Sequence, residues 1–382
     1  MRINFLRSRR SLWMLLLVAL SVSCGTEKKD ASADVVIRSF SAETNASFFA
    51  DVFSEVRAVP LDLGESVLGG ALNYRLRAAD DRYVLTDRQN SAIYAFDRDG
   101  ALLARIAKVG RGPGEYQYPL CCEYVNQRYI VLADGQRVIE YDDQGELIQE
   151  TALDFEMMDF TFVDPATPVF AMSRMDGEPD ADRVLVCNAD YEVQSSFLPQ
   201  PFQLFNYETQ LTKVAGGDGA FLYLDPTAPR IVRCDREQAL STCEFDFKGR
   251  VFPEKLLASD DFEKILDILL QTPEIYCIYK AFENDDYLLL ALQYLADGEE
   301  KKVAQWLVRK DDGSSRIEYL DYLGDSFSFL GPPQLLTADN EVLYIVDMDL
   351  YASVADEFPE LAAAVDAKKG FVMLVCKLKE TR

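Results

Sequence analysis

Arg82-Tyr83-Val84-Leu85-Thr86-Asp87, followed by Ile93-Tyr94-Ala95-Phe96-Asp97-Arg98-Asp99-Gly100, returns further along the chain. The second copy reads Arg128-Tyr129-Ile130-Val131-Leu132-Ala133-Asp134, then Val138-Ile139-Glu140-Tyr141-Asp142-Asp143-Gln144-Gly145. Tyr83 to Tyr129 and Gly100 to Gly145 both step by about 45 residues, and a fixed step of that size marks a repeat architecture. Each unit is a β-branched and aromatic run, a short polar break, a second run and an Asp-x-x-Gly turn into a third. The glycine supplies the positive φ that such a reversal needs.

Fainter copies open at Phe170, Phe221, Tyr287 and Leu343, and Asn188, Asp235, Asp311 and Lys377 stand where their second runs end. Some intervals are stretched by segments of helical period. Asp260 to Leu270 sets Phe262, Ile265, Leu266 and Leu269 on one face, behind an Asp260/Glu263 capping pair. Pro359 to Lys369 has Pro at a first helical position and Gly370 just past the end. Six anchors predict an all-β fold, a six-bladed β-propeller of four-stranded antiparallel blades with two short helical insertions. The termini supply a check. Phe371–Lys379 matches a third strand with no fourth after it, whereas Glu55–Leu61 precedes the first blade with nothing else to pair with. The N-terminal strand is therefore expected to complete the last blade, which removes two open edges at once. These two unmatched strands favour a propeller over an open β-solenoid; a β-sandwich is the remaining alternative, but it does not predict a period of about 45 residues.

The N-terminus reads as an address. Arg2, Arg7, Arg9 and Arg10 precede an apolar run from Leu12 to Val22 that is too short to span a bilayer, as in a signal peptide. Leu20-Ser21-Val22-Ser23-Cys24-Gly25 resembles a bacterial lipoprotein cleavage site, although its leucine stands four residues before the cysteine and not three. The expected organisation is a signal peptide over 1–23, a lipidated Cys24 with a flexible tether over 24–50, and one propeller over 51–382. Gly25 in place of Asp after the cysteine resembles lipoproteins sent to the outer membrane of a Gram-negative-type envelope.

Gly110-Arg111-Gly112-Pro113-Gly114-Glu115-Tyr116 is similar to the G-x-G-P-G-E-Y signature of bacterial six-bladed β-propeller lipoproteins, an NHL-like family. Val59-Pro60-Leu61 and Cys376-Lys377-Leu378-Lys379 resemble that family's borders. The resemblance implies a propeller in the cell envelope and little defined chemistry.

Composition narrows the chemistry. A net charge of −25 opposes nucleic acid, whose binding depends on Lys and Arg replacing condensed counterions. The chain has no histidine, which removes Ser-His-Asp and Cys-His nucleophile systems and histidine metal sites. Asp80-Asp81, Asp285-Asp286 and Asp311-Asp312 fit no calcium loop and read as hairpin turns. Beyond Cys24, seven cysteines remain without CxxC spacing; most read as small buried hydrophobes, with Cys234 and Cys243 candidates to face each other across a hairpin.

The Gly110–Tyr116 loop has no following helix and no Lys-Ser/Thr pair, so it reads first as a turn from an outer strand to the next inner strand, fixed by Arg111 and Glu115. Arg111, Glu115 and Tyr116 are also the candidates for ligand contact. Alternating strand direction puts this loop, the 252–272 insertion and the 352–370 insertion on one face, the expected binding surface for a small ligand, glycan, peptide or protein. Two functions follow as expectations. One is a non-enzymatic scaffold held to the membrane by lipid on Cys24, with no cofactor. The other is a calcium-dependent hydrolase or lyase of the lactonase-like propeller type, which the missing histidine disfavours.

Overall fold

The computed structural model describes residues 34–39, 51–70, 74–79, 81–172, 182–199, 210–217, 219–225, 228–249, 251, 274–296, 300–320, 322–323, 326–327, 331–348 and 370–379. Two strands precede the repeats, β1 (Asp34–Ser39) and β2 (Phe53–Pro60). Blade 1 then contains β3 (Tyr74–Ala78), β4 (Arg82–Asp87), β5 (Ala92–Asp97) and β6 (Leu102–Ile106). Blade 2 contains β7 (Pro119–Val125), β8 (Arg128–Ala133), β9 (Arg137–Tyr141) and β10 (Leu147–Ala152). Blade 3 contains β11 (Met157–Asp164), β12 (Thr167–Met172), β13 (Asp182–Cys187) and β14 (Val193–Pro199). Blade 4 contains β15 (Gln210–Lys213), β16 (Phe221–Asp225), β17 (Arg230–Cys234) and β18 (Ala239–Asp246). Blade 5 contains β19 (Glu274–Glu283), β20 (Tyr287–Ala296), β21 (Glu300–Arg309) and β22 (Ser315–Leu320). A two-stranded hairpin, β23 (Tyr322–Leu323) and β24 (Ser326–Phe327), leads to blade 6, with β25 (Leu335–Leu336), β26 (Glu341–Asp347) and β27 (Phe371–Leu378).

The protein is a six-bladed β-propeller, and β2 completes blade 6. It pairs antiparallel with β27, from Phe53 opposite Leu378 to Pro60 opposite Val372. All six predicted anchors lie in second strands of their blades: Tyr83 in β4, Tyr129 in β8, Phe170 in β12, Phe221 in β16, Tyr287 in β20 and Leu343 in β26. Every element bounded within the described residues is a strand, and no helix there is long and apolar enough to cross a membrane. The helices expected over 260–270 and 359–369, and the signal and cleavage site before residue 34, lie outside the described residues.

Burial follows position within a blade. Second and third strands are covered on both faces by neighbouring blades, so β4 is buried throughout and β8 nearly so. Outer strands such as β10 and β14 are largely exposed. Among the described residues the core consists of six apolar seams, one between each pair of adjacent blades. Leu343, Ile345 and Met373 of blade 6 meet Tyr74, Leu76 and Leu85 of blade 1, for example, and Leu222 and Phe245 of blade 4 meet Ile278 and Trp306 of blade 5. Each such side chain contributes about 1.5–3 kcal/mol when fully buried.

The turns from third to fourth strand carry the sequence repeat. Asp97 Oδ1 accepts the backbone N–H of Asp99 and of Ala101, both at 2.9 Å. Asp142 Oδ1 does the same for Gln144 (2.9 Å) and Glu146 (2.8 Å). Gly100 and Gly145 take the left-handed φ of +88° and +78° that close these turns. Such turns and those from first to second strand form a face of short reversals. The opposite face receives the second-to-third and outer-to-inner connections, among them the described 61–70 and 107–118. The 252–272 insertion and most of the 352–370 insertion expected on it lie outside the described residues.

One finding departs from the expected tether over 24–50. Asp34–Ser39 is a strand, laid parallel against β18 so that blade 4 has five strands. Its β-branched run, Val35-Val36-Ile37, was the signal for it.

Candidate functional site

The axis of the ring is closed by side chains that cross it. Arg77 leaves β3 of blade 1, and its Nη2 lies 3.3 Å from both carboxylate oxygens of Asp159 in β11 of blade 3. The same nitrogen donates to the carbonyl of Leu211 in β15 of blade 4, at 2.7 Å. Arg77 Nε stands 3.1 Å from Glu123 Oε1 of blade 2, an ion pair too oblique to count as a hydrogen bond. Asp159 also accepts the N–H of Phe160 (3.0 Å) and of Leu211 (2.9 Å). On the other side of the ring, buried Lys280 of β19 donates to the carbonyl of Tyr74 in blade 1 at 3.1 Å. It also donates to Gln334 Oε1 at the start of blade 6. All six blades are thus tied together across the axis.

Electrostatics follow from this packing. Burial works against the Arg77 charge, but Asp159 and Glu123 outweigh it and hold its pKa above the ordinary value. Burial also pushes the Glu123 carboxyl up, against the pull of Arg77 and the Thr161 hydroxyl. The calcium centre that the lactonase-like alternative would require does not fit here. The two axial carboxylates are matched by a guanidinium and by backbone N–H donors, and calcium wants six to eight free oxygens. No group of three or more metal-ligating side chains occurs among the described residues.

Of the three candidates in the 107–118 loop, two are spent on the loop itself. Glu115 turns inward, accepting the N–H of Gly112 at 2.8 Å and filling the space over Gly110. Tyr116 is fully buried, and its hydroxyl donates to the carbonyl of Ile106 at 3.0 Å. Gly114, at φ +68°, offers its N–H to Glu150 (3.0 Å) and its carbonyl to the Tyr141 hydroxyl (2.7 Å). The Arg111–Glu115 pair expected to fix the turn is not what fixes it. Arg111 is exposed.

Exposed apolar side chains share this region. Val67 is 67% exposed, Val109 57% and Tyr118 42%. Two connections meet at the β4–β5 turn: Asn90 Nδ2 donates to the Val67 carbonyl at 2.8 Å, and the Ser91 hydroxyl to the Gln117 carbonyl at 3.3 Å. The acidic pairs stand at short turns. Asp81 is held by Arg82, which also donates to the Tyr129 hydroxyl and to Asp143, each at 2.8 Å, and lies 3.9 Å over the Tyr124 ring. Among the described residues Cys121, Cys122, Cys187, Cys234 and Cys376 are buried free thiols; Cys234 pairs in register with Ala239 and Cys243 with Ile231, so those two do not face each other.

The axial residues escaped the sequence reading. Their signal is a charge set in an apolar run on an inner strand: Leu76-Arg77, Cys122-Glu123-Tyr124, Met158-Asp159-Phe160 and Tyr279-Lys280-Ala281.

Comparison with known proteins places the fold among relatives. A Bacteroides fragilis protein assigned as exported is similar over 91% of this chain and all of its own, with 16% identity and a TM-score of 0.72. A DUF4221-family member from Bacteroides vulgatus is similar over 86% of this chain and 98% of its own, with 10% identity and a TM-score of 0.54. No curated protein matches the sequence. The family described as a domain of unknown function, DUF4934, matches residues 37–379, from β1 to the last turn of the ring, and the chain belongs to it.

Proposed function

We propose that this chain is an exported, lipid-anchored propeller that acts as a non-enzymatic scaffold, binding a peptide, glycan or protein on the face of long connections. The observation that carries this is a division of labour within the ring. The axis is filled by Arg77, Glu123, Asp159 and Lys280 bonded from blade to blade, while the 61–70 and 107–118 connections leave at one face. A rigid scaffold places recognition on such connections. Arg111, exposed in an acidic chain, offers a cation beside the apolar surface of Val109 and Tyr118. Export and anchoring rest on the arginines, the apolar run and Cys24, and are supported by the Bacteroides fragilis relative assigned as exported. The outer membrane is the proposed destination.

The test is a screen of the purified chain against peptide arrays, glycan arrays and peptidoglycan fragments, followed by substitution. Binding should fall at least about tenfold in Arg111→Glu and Tyr118→Ala, since a central interface side chain contributes about 2 kcal/mol or more. It should be unchanged in Glu237→Gln on a short turn. Binding indifferent to the first two variants would refute the assignment. Stoichiometric, tightly held calcium by elemental analysis would favour hydrolase or lyase chemistry instead.

A further inference from the structure

Strand β1 gives the anchor a defined point of departure. Among the described residues, blade 4 is the five-stranded blade, and its extra strand lies at the outer rim. Asp34 stands opposite Ser241 and Ser39 opposite Asp246. Parallel pairing fixes the direction, so the chain enters beside the 235–238 turn that precedes β18. Only residues 25–33 separate that point from Cys24. Fully extended they reach about 30 Å, and as a flexible coil about 16 Å.

Blade 1 lies directly across the ring from blade 4, as the Arg77 contact with the Leu211 carbonyl shows. The 107–118 loop joins blade 1 to blade 2, on that far side. The face of short turns exposes Asp99, Asp285 and Asp286, beside Asp81, Asp311 and Asp312, which pair with Arg82 and Arg309. Laying that face flat on an anionic lipid surface would bring these carboxylates within a Debye length, about 10 Å, of like charge. A rim attachment and an acidic face both work against a flat approach.

We infer that the anchored protein meets the lipid surface edge-on, at the rim of blade 4, and holds the blade 1–2 side with its 107–118 loop away from the membrane. This rests on the lipidation of Cys24 proposed above. The loop is thereby presented to partners and not to lipid.

The test uses the full-length lipoprotein in vesicles of phosphatidylethanolamine and phosphatidylglycerol with a nitroxide on the headgroup. A genetically coded fluorophore replaces Asp99 or Glu237, exposed residues of the same turn in blades 1 and 4. Quenching at 237 should exceed that at 99 by at least about twofold, because quenching falls steeply across the width of the ring. Lengthening the 25–33 spacer by about 30 Gly/Ser residues should erase the difference, since the coil then reaches past the disc. Equal quenching at the two positions, or stronger quenching at 99, would overturn the edge-on arrangement alone. Failure of the wild-type chain to join the vesicles, as expected for Cys24→Ala, would overturn the anchor beneath it.

Discussion

Replacing Arg77 by methionine should unmask the cost of the axial carboxylates. The side chain keeps its bulk and loses its charge, which removes the ion pairs to Asp159 (3.3 Å) and Glu123 (3.1 Å) and the hydrogen bond to Leu211 (2.7 Å). Asp159 retains two backbone donors, whereas Glu123 loses the cation that offset its burial. Breaking a buried pair from one side typically costs about 3–5 kcal/mol, which for a domain of this size is a drop in Tm on the order of 10 °C. The pH dependence has a definite sign. A carboxyl whose folded pKa is raised holds its proton more tightly when folded, so stability falls as pH rises from the unfolded value, about 4.3, through the folded one. Without Arg77 the folded pKa of Glu123 climbs further. The deficit of Arg77→Met should therefore be full near pH 8 and shrink towards pH 5. Calorimetry on the wild type, Arg77→Met, Glu123→Gln and the double variant closes the cycle. Glu123→Gln should stabilise the Arg77→Met background and not the wild type. A wild-type Tm for Arg77→Met, a deficit independent of pH, or additive substitutions would refute the reasoning.

Three further outcomes are expected. Gly100→Ala should cost more than Gly145→Ala in urea melts, about 2–4 against about 1–2 kcal/mol, because both hold a left-handed φ but a Cβ at Gly100 would also collide with the Pro60 backbone. Alkaline stability should decline above pH 9. Burial pushes the Cys187 thiol up to about 12, and Tyr74, Tyr116 and Tyr191 are likewise raised. The folded state thus keeps protons that the unfolded chain releases, and denaturant midpoints measured from pH 8 to 10.5 should fall. Thiol reagents should reach Cys121, Cys122, Cys187, Cys234 and Cys376 only on unfolding, as mass spectrometry of labelled peptides would show.

The ring was legible in the sequence because its repeat is written in local chemistry. Asp97 and Asp142 accept their own turn's amides, and Gly100 and Gly145 take a φ that few other residues tolerate, so these positions recur wherever the same reversal is made. Ring closure was readable from two strands without partners, Glu55–Leu61 and Phe371–Lys379. The axis was not legible. Arg77, Glu123, Asp159 and Lys280 come from four different blades, and nothing along the chain states that they meet. The 107–118 loop was read correctly as a turn, yet the internal role of Glu115 depends on the approach of Gly112, and that of Tyr116 on the position of Ile106. β1 was missed because its pairing partner, β18, lies in the fourth blade.

The closing strand also sets a timetable. Ser54 and Lys377 bond across a separation of 323 residues. In synthesis and in export alike the N-terminal side comes first, so β2 waits for β27 to follow. During that interval it is an unpaired edge, the kind of segment that recruits foreign strands. Its sequence suits the wait. Only Phe53 and Val59 of β2 become buried, while Glu55, Arg57 and Pro60 stay exposed. Two charges and a residue without an N–H make a poor template for misplaced partners. The same strand that locks the finished ring is thus chemically quiet while the ring is still being made.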